Sequence, residues 1–131
     1  MRLVLDSNVY ISGLTIEGLT FEVMVATLSE HQVFVSDAIL KEVSKALRKK
    51  FKQPEGLVQE QIDAIESRTE LLEIHGTLQG ASRDPNDDHV LELCEIAKAD
   101  YLISGDQDLV VLKTHKHTRI VSPREFLELT E

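Results

Sequence analysis

Asp6 ends an apolar run, Leu3-Val4-Leu5, and the chain turns polar immediately afterwards at Ser7-Asn8. Asp106 repeats the arrangement: Tyr101-Leu102-Ile103-Ser104 is a β-rich run, Gly105 permits a sharp turn, and Asp106-Gln107-Asp108 follows. An acid at the carboxyl end of a buried strand reads equally as the N-cap of the next helix and as a ligand at the mouth of a sheet. On neighbouring strands the two Cα atoms would lie about 5 Å apart, and two unpaired carboxylates that close repel each other. A divalent cation is the natural remedy.

Helical periodicity separates two further acids from their neighbours. Counted at 100° per residue from Ile39, the residues Ile39, Leu40, Val43, Ala46 and Leu47 form an apolar stripe. Glu42 falls at about 300°, on the edge of that stripe, while Lys41, Lys45, Arg48, Lys49 and Lys52 cover about 180–280°, the solvated face. Glu42 therefore borders the core, although a surface glutamate paired with Lys45 or Lys49 explains the position equally well. In the segment Ser82-Arg83-Asp84-Pro85-Asn86-Asp87-Asp88-His89, Asp84 is a good N-cap and Pro85 suits the first helical position. Taking Val90 as the origin, Val90, Leu91, Leu93, Cys94 and Ala97 make the apolar stripe. Asp87 falls inside it at about 60°, whereas Asp88 lies near about 160°, on the far side with Glu92 and Glu95. A carboxylate on the buried side of a first turn needs a partner, and Asp87 is the odd one out.

The elements that must position these acids follow from short β-rich runs alternating with helical patterns. Strands are expected over residues 2–6, 32–36, 71–75, 101–104 and 119–122. Helices are expected over 17–30, 37–52, 55–70, 85–98 and 123–129, with residues 9–14 helical behind Asp6. Short apolar strands separated by helices are the pattern of a parallel sheet covered on both faces, and ligands of such sheets bind outside the carboxyl ends of the strands. The fold class is α/β.

The 131 residues carry 23 acidic against 14 basic side chains, a net charge of −9, and 42% hydrophobic residues. This is the size and composition of one folded domain, residues 1–131, without repeats or linkers. The acid excess argues against a protein that grips nucleic acid over its whole surface, but not against one that gathers acid in one place to hold metal. No apolar run reaches the about 18 residues of a membrane span, and the N-terminus lacks the apolar stretch of a secretion signal. Cys94, the single cysteine, excludes an internal disulfide, fits a reducing cytoplasm and lies on an apolar stripe as a core residue. His31, His75 and His89 are isolated, and His115 and His117 read as a surface loop without the cysteines of a zinc site. No phosphate-binding glycine loop and no nucleophile elbow are present.

Together, the stretches Leu3-Val4-Leu5-Asp6-Ser7-Asn8-Val9, Val35-Ser36-Asp37-Ala38-Ile39-Leu40-Lys41-Glu42-Val43, Arg83-Asp84-Pro85-Asn86-Asp87-Asp88 and Ala99-Asp100-Tyr101-Leu102-Ile103-Ser104-Gly105-Asp106-Gln107-Asp108-Leu109 resemble the PIN domain. They do so in order, and the closest likeness is to the branch of toxin components with an Arg-Asp-Pro-x-Asp stretch. The resemblance implies a three-layer α/β/α sandwich around a central, mainly parallel sheet. It implies a catalytic and metal-binding quartet of Asp6, Glu42, Asp87 and Asp106, with Asp6 and Asp106 central. Asn8 matches a residue that positions the first acid, Ser104 keeps a hydroxyl where many members have threonine, and Asp108 matches a further acid. Asp84 and Asp88 are candidate auxiliary groups. An all-oxygen ligand set implies Mg²⁺ or Mn²⁺.

The implied activity is endoribonuclease cleavage of RNA leaving 5′-phosphate and 3′-hydroxyl ends, in the cytoplasm. The implied partners are a cognate antitoxin and, as small members often dimerise, a second copy of the chain. The competing reading is a catalytically silent PIN domain that binds RNA or protein, and the intact quartet counts against it. A receiver-type phosphoryl-transfer domain would need a lysine where this chain has Gly105-Asp106. The cations of residues 41–52 read equally as an RNA track and as a solvated helix face.

Overall fold

Leu3, Val4 and Leu5 are all fully buried. Successive strand side chains point to opposite faces, so the sheet they belong to is covered on both sides. The computed structural model describes residues 1–130. In chain order the elements are β1 (Arg2–Leu5), α1 (Ser7–Thr15), α2 (Leu19–Glu30), β2 (Gln32–Val35), α3 (Asp37–Lys49), α4 (Glu55–Ser67) and β3 (Glu70–Leu71). A 3₁₀ turn (Pro85–Asp87) then leads into α5 (Asp88–Ala97), β4 (Tyr101–Ile103), α6 (Gln107–Val110), β5 (Thr114–His115), β6 (Thr118–Val121) and α7 (Pro123–Thr130).

The six strands lie in the order β3-β2-β1-β4-β6-β5. All pairs are parallel except β5 with β6. The chain steps outward from β1 to β3, then returns to lay β4 on the other side of β1. That reversal opens a crevice at the carboxyl ends of β1 and β4, the place where such sheets bind ligands. On one side α1 packs on α2 and α3, α3 on α4, and α2 on α7 and β2; α5 packs on β1 and β2. This is the expected α/β/α layering. Gly13 lets α1 and α2 approach, since a Cβ there would meet Sδ of Met24 at 2.7 Å. No single helix among the described residues is long and apolar enough to cross a membrane.

Several expectations change: α6 was not expected, and the helix expected over 55–70 stops at Ser67. The strand expected over residues 71–75 pairs only through Glu70–Leu71, because the amides of residues 75–78 go to a side chain of α5 instead of a strand. The segment expected as a histidine loop forms the β5 edge strand, with His115 opposite Thr118. The helix expected over 37–52 starts where Ser36 caps it, its Oγ accepting from Ile39 N–H at 3.3 Å, and stops at Lys49.

Candidate active site

Parallel pairing sets Leu5 opposite Ile103, and the Asp6 amide extends the ladder by donating to the Ile103 carbonyl at 3.0 Å. Residues far apart in sequence thus meet at the crevice. Asp6 is 3% exposed. Its Oδ1 accepts from the Ser7 N–H at 2.8 Å, the capping role expected of it. Its Oδ2 accepts from Asn8 Nδ2 at 2.9 Å and from the Ser104 hydroxyl at 2.8 Å. Asn8 Oδ1 in turn accepts from the Gly105 N–H at 2.9 Å, and Ser104 Oγ accepts from the Asp106 N–H at 3.0 Å. Asn8 and Ser104 therefore lace the two strand ends together around one carboxylate. Asp106 caps α6, its Oδ1 accepting from the Asp108 N–H at 2.9 Å.

The charges of Glu42 and Asp106 act on Asp6, and those of Asp106 and Asp6 act on Asp87. Burial pushes the Asp6 carboxyl above its ordinary value, against the pull of its bonds to Ser104 and Ser7, and the charges of Glu42 and Asp106 add to the rise. Asp87 ends the 3₁₀ turn, and its carboxyl is pushed up to about 7 by burial first, then by Asp106, Asp6 and Asp84. Its Oδ2 is buried with no hydrogen-bond partner. Glu42 reaches the rim from α3, where its Oε1 lies 3.4 Å from Nε2 of His89. No lysine pairs with it among the described residues. The quartet does not form one tight shell: the carboxylates that approach within 4.8 Å of one another are Asp84, Asp87 and Asp108. Asp108 also pairs with Arg83, Nη2 to Oδ1, at 2.8 Å.

The next turn of α5 corrects the sequence reading. Asp88 and Glu92, expected on the outer face, are 6% and 5% exposed. The loop preceding α5 folds over them and gives up its amides. Asp88 accepts from the N–H groups of Gly80, Ala81 and Ser82 at 3.0, 3.1 and 3.0 Å. Glu92 accepts from those of His75, Gly76, Thr77 and Leu78, which hold its carboxyl below the usual range. Both Asp88 oxygens are thus engaged by the loop's amides. The clamped loop forms one wall of an open cleft of about 850 Å³, with Ala38 and Glu42 of α3 and His89 of α5 among its other lining residues.

His89 is the group that the sequence reading missed. Its bond to Glu42 raises its pKa against the opposing effect of burial, and its Nδ1 is buried without a partner. No local spacing announces the pair, because tertiary packing alone brings the start of α5 beside α3. Elsewhere, Cys94 is a buried core thiol pushed upward by burial. His115 is tied by Nε2 to Glu95 at 2.7 Å, with Lys116 on the other oxygen.

The donors gathered here are carboxylate oxygens, the ligands of hard divalent cations. The profile of the PIN domain matches residues 2–108. Among solved structures, the VapBC2 crystal structure from Rickettsia felis, bound to a DNA fragment from the promoter, aligns with a TM-score of 0.63 at 14% identity. That alignment covers 93% of this chain and 98% of that one. PAE2754 from Pyrobaculum aerophilum aligns with a TM-score of 0.60 at 13% identity, over 98% of this chain and 87% of that one. At such identities the likeness is one of fold. No curated protein sequence matches.

Proposed function

The chain belongs to the PIN domain family, and on that premise we propose that it is a metal-dependent endoribonuclease acting through Asp6, Glu42, Asp87 and Asp106. The observation that carries this reading is the Asp87 carboxylate, with one oxygen buried and unpartnered beside other acids that push its pKa to about 7. A purely structural acid in that position would have acquired a donor. An orphaned oxygen among crowded carboxylates fits a bound hard cation, so the residues present suit Mg²⁺ or Mn²⁺.

Such an ion would supply the positive charge that lets an anionic phosphodiester approach the acids, and would polarise the attacking water. The chain's own residues do the rest. Asp6 is preset by Asn8 and Ser104, so its orientation costs nothing at the moment of binding. Asp106 and Asp87 would hold the ion beside it, and Asp87, its carboxyl pushed up to about 7, would release a proton on ligating it. Glu42, steadied by His89, would complete the ligand set, and it also lines the cleft that would take the RNA strand.

The likeness in fold to a VapBC2 structure supports a toxin paired with an antitoxin protein. So does apolar surface away from the acids: Phe21 and Val25 of α2 are exposed, and Val25 borders a groove of about 260 Å³ whose lining includes Leu14, Met24 and Leu28. The lone buried thiol suits a cytoplasmic setting. The test is cleavage of labelled single-stranded RNA with Mn²⁺ or Mg²⁺, using EDTA and Asp6→Asn as controls. We expect cutting that EDTA abolishes and Asp6→Asn lowers at least about 100-fold, beyond the loss seen for partners one shell out. Equal cutting by both proteins would overturn the assignment.

A further inference from the structure

We propose that the exposed lysines of α3, Lys45 and Lys49 with Lys41 beside them, bind the phosphate backbone of single-stranded RNA where it leaves the acidic cleft. The inference rests on reading the adjoining site as one that handles RNA, and it adds where the strand runs. Ala38 and Glu42 line the cleft from α3. At 100° per residue, Lys45 and Lys49 fall within about 60° of the face that those two residues share. They lie about 4.5 and 10.5 Å beyond Glu42 along the helix axis. The cleft wall therefore continues as a cationic strip.

Charge distribution singles this strip out. Residues 41–52 hold six of the 14 basic side chains and a single acid, Glu42, in a chain of net charge −9. A protein so acidic draws in a polyanion through a local positive field. Lys41, Lys45 and Lys49 are exposed and have no acidic partner among the described residues. Three other cations are already engaged: Arg48 with Glu55 at 2.6 and 2.8 Å, Arg83 with Asp108, and Lys116 with Glu95. Lysine ammonium groups on a helix face hold phosphates as point charges and read no bases. The strip thus sets the path of the strand without setting its sequence.

The experiment is fluorescence anisotropy of the full chain with a short labelled single-stranded RNA of mixed sequence, in EDTA, over a salt titration. Lys45→Gln/Lys49→Gln keeps helix propensity and should weaken binding, lowering the slope of log affinity against log salt by about 1.4. Lys98→Gln, at the far end of the sheet, should leave the slope near that of wild type. An unchanged slope in the double variant overturns the strip, and if Mn²⁺-dependent cutting persists the nuclease reading still stands. A lowered slope in a protein that never cuts RNA upholds the strip and overturns the nuclease. Displacement of the RNA by polyglutamate at matched charge overturns the proposal in favour of an acidic protein partner. Failure of the wild type to bind RNA both in EDTA and with Mg²⁺ overturns it as well.

Discussion

Asp87 keeps one oxygen buried without a partner, whereas Asp88, the next residue, receives three backbone amides. One turn later Glu92 receives four more. The same side-chain chemistry, on the same few residues of chain, meets opposite fates. Amide donors hold the Glu92 carboxyl below the ordinary range, while burial and neighbouring acids lift that of Asp87 to about 7. Satisfied acids bind the protein to itself. The unsatisfied one marks the place where something from outside completes the structure.

The sharpest way to break this comparison is to neutralise the adjacent residues in turn. Asp87→Asn should reduce metal-dependent RNA cleavage at least about 100-fold while leaving the melting temperature unchanged or higher in EDTA. Asp88→Ala should do the reverse. Three amides under the loop lose their acceptor, so stability should fall by about 1–3 kcal/mol in a urea melt, with cleavage per folded molecule largely kept. If both variants lose stability alike, the division between the two acids is wrong. Asn8→Ala comes next, since it removes the side chain that ties Asp6 to Gly105. Cleavage should fall about 10–100-fold, with the metal titration shifted to higher concentration.

Titration sharpens the same contrast. In the metal-free protein the folded-state value of Asp87 lies above its unfolded one, so the folded state holds the extra proton between pH about 4 and about 7. Stability should therefore decline as pH rises through that window, and Asp87→Asn or added Mg²⁺ should flatten the decline. Glu92 works with the opposite sign. Its folded value is depressed, so its contribution is present above the ordinary carboxylate range and is lost as pH falls through the folded value. Thermal melts across pH in EDTA separate the two. The smallest effect belongs to the exposed Arg83–Asp108 pair: Arg83→Gln should change stability by less than about 1 kcal/mol.

The sheet was legible because its central strands are short apolar runs closed by polar residues, as at Leu5-Asp6 and Ile103-Ser104. The parallel crossover then follows from the helices between them. Asp6 and Asp106 were legible as strand-end acids, and Asp87 as an acid on the wrong side of its helix. Asp88 and Glu92 were misread because a helical wheel assumes one buried face, whereas α5 is covered on two. The second cover is a loop without regular structure, whose position no periodicity encodes. His89 escaped for a related reason: its partner Glu42 belongs to another helix. Local spacing reveals what a single element does, and contacts between elements stay hidden until they pack.

The bond from Ser104 to Asp6 spans 98 residues. During synthesis, at about 5–20 residues per second, Asp6 leaves the ribosome well before the hydroxyl that orients it. A partly made chain thus carries the first acid without Ser104, Asp106 or β4, the strand that frames the crevice. The frame of the site closes only after β4 has emerged and docked beside β1, so an RNA-cutting centre assembled this way stays silent toward the message and ribosome that are producing it. Strand order thus makes the frame of the site one of the last parts of the chain to close.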